Sequence, residues 1–324
     1  MKVLAIRLGR FGDLVLLLPA LALLKARLPK SHLTLLTDTR WAPLAKMCPA
    51  IDDIIAVDRI EMRDAPPWRS IPGIIRLMSD VRRRRFDAAI DCHGFRETSL
   101  LAWWSRAPQR WGLKRFDQSF LGFCFNRPPV VEDKSLHASA SFFRLVDHFA
   151  PSHGSENSLP PLVVPGDALQ WASERLPKGP FAVLFVDAPV PERVWPLDRF
   201  GAVADHITGN LRIAVVVVGN KNQGLRGFGK DTPVFSGLSI PHLAALIAKA
   251  SLLVSNDTGP MHLGPALGVP TVGIFSVGIP THFRPTGSED RYVQGDPIDT
   301  VGVDEVVGAV SQVWKSTDPR NLRR

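Results

Sequence analysis

The stretch SNDTGPMHLGPALGVPTVGIF, Ser255–Phe275, decides the fold. It completes an apolar run, Leu252–Ser255, that reads as a buried strand ending at Asn256. Asp257-Thr258-Gly259 then makes a turn, Met261–Leu267 reads as a helix, and Thr271–Phe275 is a second apolar strand. Strand, turn, helix and strand in this order build a parallel sheet, whose strands are buried on both faces and so show continuous apolar runs. The turn also carries chemistry. Unpaired N–H groups at a helix N-terminus attract anions, and Gly259 lets a phosphate approach the chain closely. Thr258 can bond such a ligand or cap the helix. An ordinary capped turn accounts for the same residues, because Asp and Thr are both good N-caps.

The same alternation extends outward from this segment. Phe181–Val186 and Ile213–Val218 are further buried strands, and Leu197–Ile207, Pro241–Ala250 and Val303–Trp314 have helical spacing. Upstream, Pro151–Gly166 is rich in Pro, Ser and Gly and reads as a linker. Before it the alternation runs again. Val3–Arg7, Leu33–Thr37, Ile54–Val57 and Asp87–Asp91 are strands. Helices follow the Gly9–Gly12 turn as far as about Leu28, and cover Ile71–Arg85 and Phe142–Phe149. Two runs of βα units predict an α/β protein of two Rossmann-like, doubly wound domains facing a central cleft. Their predicted extents are 1–158 and 159–324, and the chain length suits two cores.

The net charge of +8 favours anionic partners. Nucleic acid is not expected among them, since no helix-turn-helix, zinc finger or aromatic RNA-binding motif is present. The three cysteines are isolated with no C-x-x-C pair, which suggests neither a metal knuckle nor a redox motif, and their odd, sparse count fits a reducing compartment. No apolar run is long enough to span a bilayer. These features predict a cytoplasmic protein that touches the membrane face peripherally.

Near the N-terminus, IRLGRFGDLVLLLPAL, Ile6–Leu21, lacks the G-x-G-x-x-G spacing of a dinucleotide fingerprint. Asp13 follows the first strand, at the sheet edge where such folds bind ligands. It can cap its helix or take a proton, and Arg7 and Arg10 beside it can hold an anion.

Together the two segments resemble the ADP-heptose:lipopolysaccharide heptosyltransferase family. Asp257–His262 is similar to its D-T-G-P-x-H signature, and Ile6–Leu21 to its opening strand, x-G-D turn and Pro-containing helix. Glu192-Arg193-Val194-Trp195-Pro196 resembles its K-x-W-P segment, with Arg193 in the lysine's place. Asp91-Cys92-His93-Gly94, Trp111-Gly112-Leu113 and Asn126-Arg127 followed by His137 extend the likeness. The resemblance implies the GT-B architecture of glycosyltransferase family 9. It implies inverting transfer of a heptose or related sugar from a nucleotide diphosphate, ADP-linked, to a lipopolysaccharide-type or other phosphorylated or lipid-linked glycan. It makes Asp13 the general base. Donor contacts fall to Arg193, Gln223, Asp257, Thr258, Gly259, Met261 and His262, and acceptor contacts to Arg7, Arg10, Arg127 and His137. No cofactor and no metal are expected: there is no D-x-D motif, and a helix terminus with cations can neutralise the leaving diphosphate. Three stretches depart from the family. Val186-Asp187-Ala188-Pro189 replaces an H-P-G-A-like turn, and Ser276-Val277-Gly278-Ile279-Pro280 replaces G-P-T-D-P. Gln223 stands where a carboxylate often meets the ribose. A different nucleotide-sugar, or a binding protein without turnover, therefore stays open. Pro265 should kink the signature helix.

Overall fold

The computed structural model describes residues 1–116, 118–152, 160–220, 228 and 232–317. They form two compact units, Met1–Val163 and Val164–Arg324. Each is built on a six-stranded parallel sheet.

In the first unit the order is β1 (Lys2–Arg7), α1 (Phe11–Arg27), β2 (His32–Asp38), α2 (Ala42–Ala45), β3 (Asp53–Val57), α3 (Arg59–Asp64), α4 (Pro67–Arg83), β4 (Ala88–Asp91), α5 (Arg96–Trp104), β5 (Gln109–Lys114), β6 (Val130–Val131) and α6 (Ala138–Phe149). The strands lie in the order β3-β2-β1-β4-β5-β6. β1 is hydrogen-bonded on both sides, to β2 and to β4, which explains its unbroken apolar run. Between β1 and β4 the winding reverses direction. Loops leaving the C-terminal ends of two such strands diverge and open a crevice for ligand. α1 is apolar on nearly all sides, is largely buried, and packs against α6.

The second unit contains α7 (Gly166–Arg175), β7 (Phe181–Phe185), α8 (Leu197–His206), β8 (Ala214–Gly219), β9 (Val234–Ser236), α9 (Ile240–Ala248), β10 (Leu252–Asn256), α10 (Leu263–Ala266), β11 (Thr271–Phe275), α11 (Pro280–Phe283), β12 (Arg291–Gln294) and α12 (Val303–Thr317). Strand order is β12-β11-β10-β7-β8-β9, so the reversal falls between β7 and β10. Trp195, Phe200, Val215 and Val217 fill the core under β7 and β8.

Two departures from the sequence reading have physical causes. β5, β9 and β12 carry no apolar run, because they lie at or beside sheet edges with polar, partly exposed residues. The signature helix is not one helix: Gly259–His262 is a 3₁₀ turn and only Leu263–Ala266 is α-helical. Pro260 and Pro265 bracket it, and proline supplies no N–H for an interior helical bond. As the spacing of Val303–Trp314 predicts, α12 is amphipathic, with Val306, Val310, Val313 and Trp314 in the core of its own unit.

Candidate active site

In the first unit the site grows from the last residue of β1. Arg7 is buried, and three contacts fix it. Its Nη1 donates to the Cys92 carbonyl at 2.6 Å, its Nη2 lies 2.8 Å from Asp13 Oδ2, and its guanidinium carbon sits 5.1 Å from the Phe142 ring centre. Arg7 therefore does not offer a surface cation to an acceptor, as the sequence reading expected. It is the counter-ion of Asp13. Gly9 makes this fit possible, since a Cβ there would stand 2.9 Å from Arg7 Nε and 3.0 Å from Asp13 Oδ2. The turn is pinned from outside by Trp41, whose indole N–H donates to the Gly9 carbonyl at 2.9 Å. Arg59 donates to the Leu8 carbonyl at 3.2 Å.

Asp13 lies in the first turn of α1 and also accepts from the Arg10 backbone N–H, at 3.4 Å. Capping is thus real but long, and the arginine contact is the short one. Burial pushes the Asp13 carboxyl up, but Arg7, Arg115 and the Arg10 N–H outweigh it and hold it below its ordinary value of 3.8. The group is a carboxylate at neutral pH, and about a quarter of it is exposed.

Two further residues belong here, and sequence reasoning gave neither a role. Asp91, at the end of β4, is wholly buried and accepts from the His93 and Gly94 N–H groups and the Thr98 and Ser99 hydroxyls. Burial nevertheless raises its carboxyl to about 6. His93 is buried against Phe95, with ring centres 4.1 Å apart, and neither ring nitrogen has a hydrogen-bond partner. Burial, with Arg7, Arg115 and Arg59 close by, pushes its imidazole down to about 2. It is a neutral ring among cations, able to donate from one nitrogen and accept at the other. The signal was the D-C-H-G string following a strand, but only the fold shows that β4 lies beside β1.

The remaining acceptor candidates are placed differently. Arg10 is exposed. Arg127 is exposed and lies over the Trp111 ring at 5.8 Å. His137 is the N-cap of α6, its Nδ1 accepting from the Ser139 N–H at 3.3 Å, so its position has a structural cause.

In the second unit the site lies where the winding reverses. Asp257 follows β10 and is buried, with Arg193 Nη1 3.0 Å from its Oδ2. Burial raises the Asp257 carboxyl and Arg193 pulls it back only in part. Gly278 is packed on the same carboxylate, where a Cβ would collide with it. Asn256, which sequence reasoning passed over, ties the parts together. Its side-chain N–H donates to the Val186 carbonyl at 2.8 Å, and its Oδ1 accepts from the Trp195 N–H at 3.2 Å. Trp195 is itself a core anchor, donating to the Val301 carbonyl at 3.0 Å and meeting Phe200 edge-on. Arg193 is thereby held at the ends of β7 and β10.

The short α10 changes the chemistry expected of the turn. Four residues carry little macrodipole, and Thr258 makes no capping hydrogen bond. The positive charge here comes from Arg193. Thr258, Gly259 and His262 stand on this turn beside Asp257. Met261 is fully buried against Gly273, so its side chain is core and only its backbone can face a ligand. Asp187, which replaces the family's glycine turn, accepts from the Asn220 N–H. Gln223 lies outside the described residues.

A family model described as glycosyltransferase family 9 (heptosyltransferase) matches residues 74–299. The chain belongs to glycosyltransferase family 9. A putative glycosyltransferase of Haemophilus influenzae is 23% identical, with 98% of this chain and 99% of that protein aligned. A glycosyl transferase family 9 structure from Veillonella parvula superposes with a TM-score of 0.82 at 22% identity, covering 97% of each chain. ADP-heptose LPS heptosyltransferase II of E. coli does so with 0.77 at 18% identity, covering 98% of this chain and 99% of that one. At such identities the structural likeness speaks for the fold, two α/β units of GT-B type. Family membership makes the protein a glycosyltransferase of the heptosyltransferase type.

Proposed function

We propose that this family 9 glycosyltransferase moves a heptose or related sugar, with inversion and without a metal, from a nucleotide diphosphate to a phosphorylated or lipid-linked glycan of lipopolysaccharide type. Asp13 carries the reading, as an ionised carboxylate held by a buried arginine at the reversal point of the first sheet. Its free oxygen takes the proton of an acceptor hydroxyl. The acceptor oxygen forms a bond to the anomeric carbon as the bond from that carbon to the diphosphate breaks on the opposite face. The nucleoside diphosphate leaves with the electron pair, and Arg193 offsets its charge. Asp257 accepts from a hydroxyl of the donor, with Thr258, Gly259 and His262 beside it. ADP is the expected nucleotide.

Asp13→Asn tests the base. The substitution keeps size and capping ability but removes proton acceptance, so transfer should fall roughly 10²-fold or more while nucleotide affinity stays close to wild type. The melting temperature should fall as well, because buried Arg7 loses its counter-ion. Near-normal transfer by Asp13→Asn would leave Asp13 as a cap only. Arg193→Ala tests the donor side, and loss of a charged hydrogen bond should weaken nucleotide binding by about 1.5–3 kcal/mol. Unchanged affinity, read by calorimetry, would move the diphosphate elsewhere.

A further inference from the structure

Helix α4 carries an apolar arc wider than its packing uses. Val81 is buried and Leu77 and Met78 are half-buried. Trp68, Ile71 and Ile75, on one face at i, i+3 and i+7, are 74%, 51% and 57% exposed. Ile60 on α3 and Leu100 and Trp103 on α5 are exposed as well. Beside the stripe, Arg69, Arg76 and Arg83 recur at every seventh position. Residues 59–85 hold eight arginines against three acidic residues, so most of the chain's net charge of +8 resides in this segment. Single exposed apolar residues are ordinary, but a tryptophan-led stripe edged by arginines is not.

We infer that this face of the first unit docks on an anionic lipid surface, with α4 lying in the plane of the interface. Trp68 and the isoleucines enter the boundary between headgroups and acyl chains, where tryptophan concentrates. The arginines meet acidic headgroups, an attraction confined to about a Debye length and weakened by salt. Charge decides between occupants. A second copy of the chain pairing through the same face would set one basic segment against another. Among the described residues no helix is long and apolar enough to cross a membrane, so attachment through them is by a surface. The site also gains from this placement. A cavity of ≈ 570 Å³ between α4 and α5 has a lining that runs from exposed Ile74 and Trp103 to buried Leu8 and His93. Substrate carried in a bilayer thus has an apolar path toward the residues around Asp13. Docking does not depend on the transfer reading, because its test reads lipid binding alone.

The test is flotation of the full chain with vesicles of phosphatidylcholine, with and without phosphatidylglycerol, at low and high salt. Wild type should float with the anionic vesicles and be released by salt. Ile71→Glu/Ile75→Glu should lower the bound fraction about tenfold or more. Arg69→Glu/Arg76→Glu keeps the stripe and should abolish the preference for anionic lipid. Both variants alter exposed positions, and unchanged melting temperatures verify their folding. The inference is overturned if wild type floats with neither vesicle, or if both variants float as wild type does. It is equally overturned if Ile71→Glu/Ile75→Glu abolishes a dimer formed by wild type in solution.

Discussion

Asp13 owes its charge to one neighbour above others. Burial alone would raise its carboxyl, and Arg7 is the largest influence in the opposite direction. A depressed carboxyl is active as a base above its folded pKa and is lost as pH falls through it, so if Asp13 is the base, as proposed, the acid limb of transfer should lie below the ordinary carboxylate range. Arg7→Met removes the counter-ion and keeps the bulk of the stem. The limb should then move to higher pH in a profile of kcat/KM, and transfer at neutral pH should fall. A limb that stays in place would mean that Asp13 is not the titrating group. In sequence, Arg7 and Asp13 were both visible as candidates for the site. Their pairing was not, because it depends on Gly9 allowing the chain to turn back tightly on itself.

At the scale of the element, the β4–α5 connection holds two groups that titrate in opposite senses. His93 is held to about 2, below the ordinary 6.5, so the folded state refuses a proton that the unfolded chain binds. Its contribution to stability is full above pH 6.5 and lost as pH falls. Asp91 is raised to about 6, from 3.8, so the folded state keeps a proton that the unfolded chain releases. Its contribution is full below pH 3.8 and lost as pH rises through about 6. Between about pH 4 and 6 the two oppose each other. His93→Gln removes one of them, and the variant should gain stability relative to wild type by about 3 kcal/mol as pH is lowered from 6.5 to 4. Denaturant midpoints across that range check it, and parallel curves would show that His93 titrates normally. The elements themselves were legible where burial is two-sided, as in β1, β7, β10 and β11, whose apolar runs announce them. They were illegible at β5 and β12, where an edge position leaves the sequence polar.

For the whole molecule, each unit has its own apolar core. Nucleotide should bind the second unit alone through Arg193 and the Asp257 turn. ADP at 100 times its Kd should therefore stabilise that unit by about 2.7 kcal/mol. In calorimetry of the full chain, two transitions are expected, and ADP should raise one of them. Asp13→Asn should leave that rise intact, whereas Arg193→Ala should shrink it. A rise in Asp13→Asn as small as in Arg193→Ala would place the nucleotide against the first unit instead.

The sequence by itself determined the class of fold and the two runs of βα units, and it supplied the pair of segments on which the proposed chemistry rests. These are local patterns: apolar runs, turn residues and short strings whose spacing survives without knowledge of neighbours. Tertiary structure alone decided which charges meet. It turned Arg7 from a surface cation into a buried counter-ion, set His93 beside Asp13, and gave Asn256 the task of holding Trp195. It also cut the signature helix to four residues and set Arg193 as the cation beside Asp257. The reason is physical. Burial and Coulomb energies depend on distances between residues far apart in the chain, and strand order, not sequence order, sets those distances.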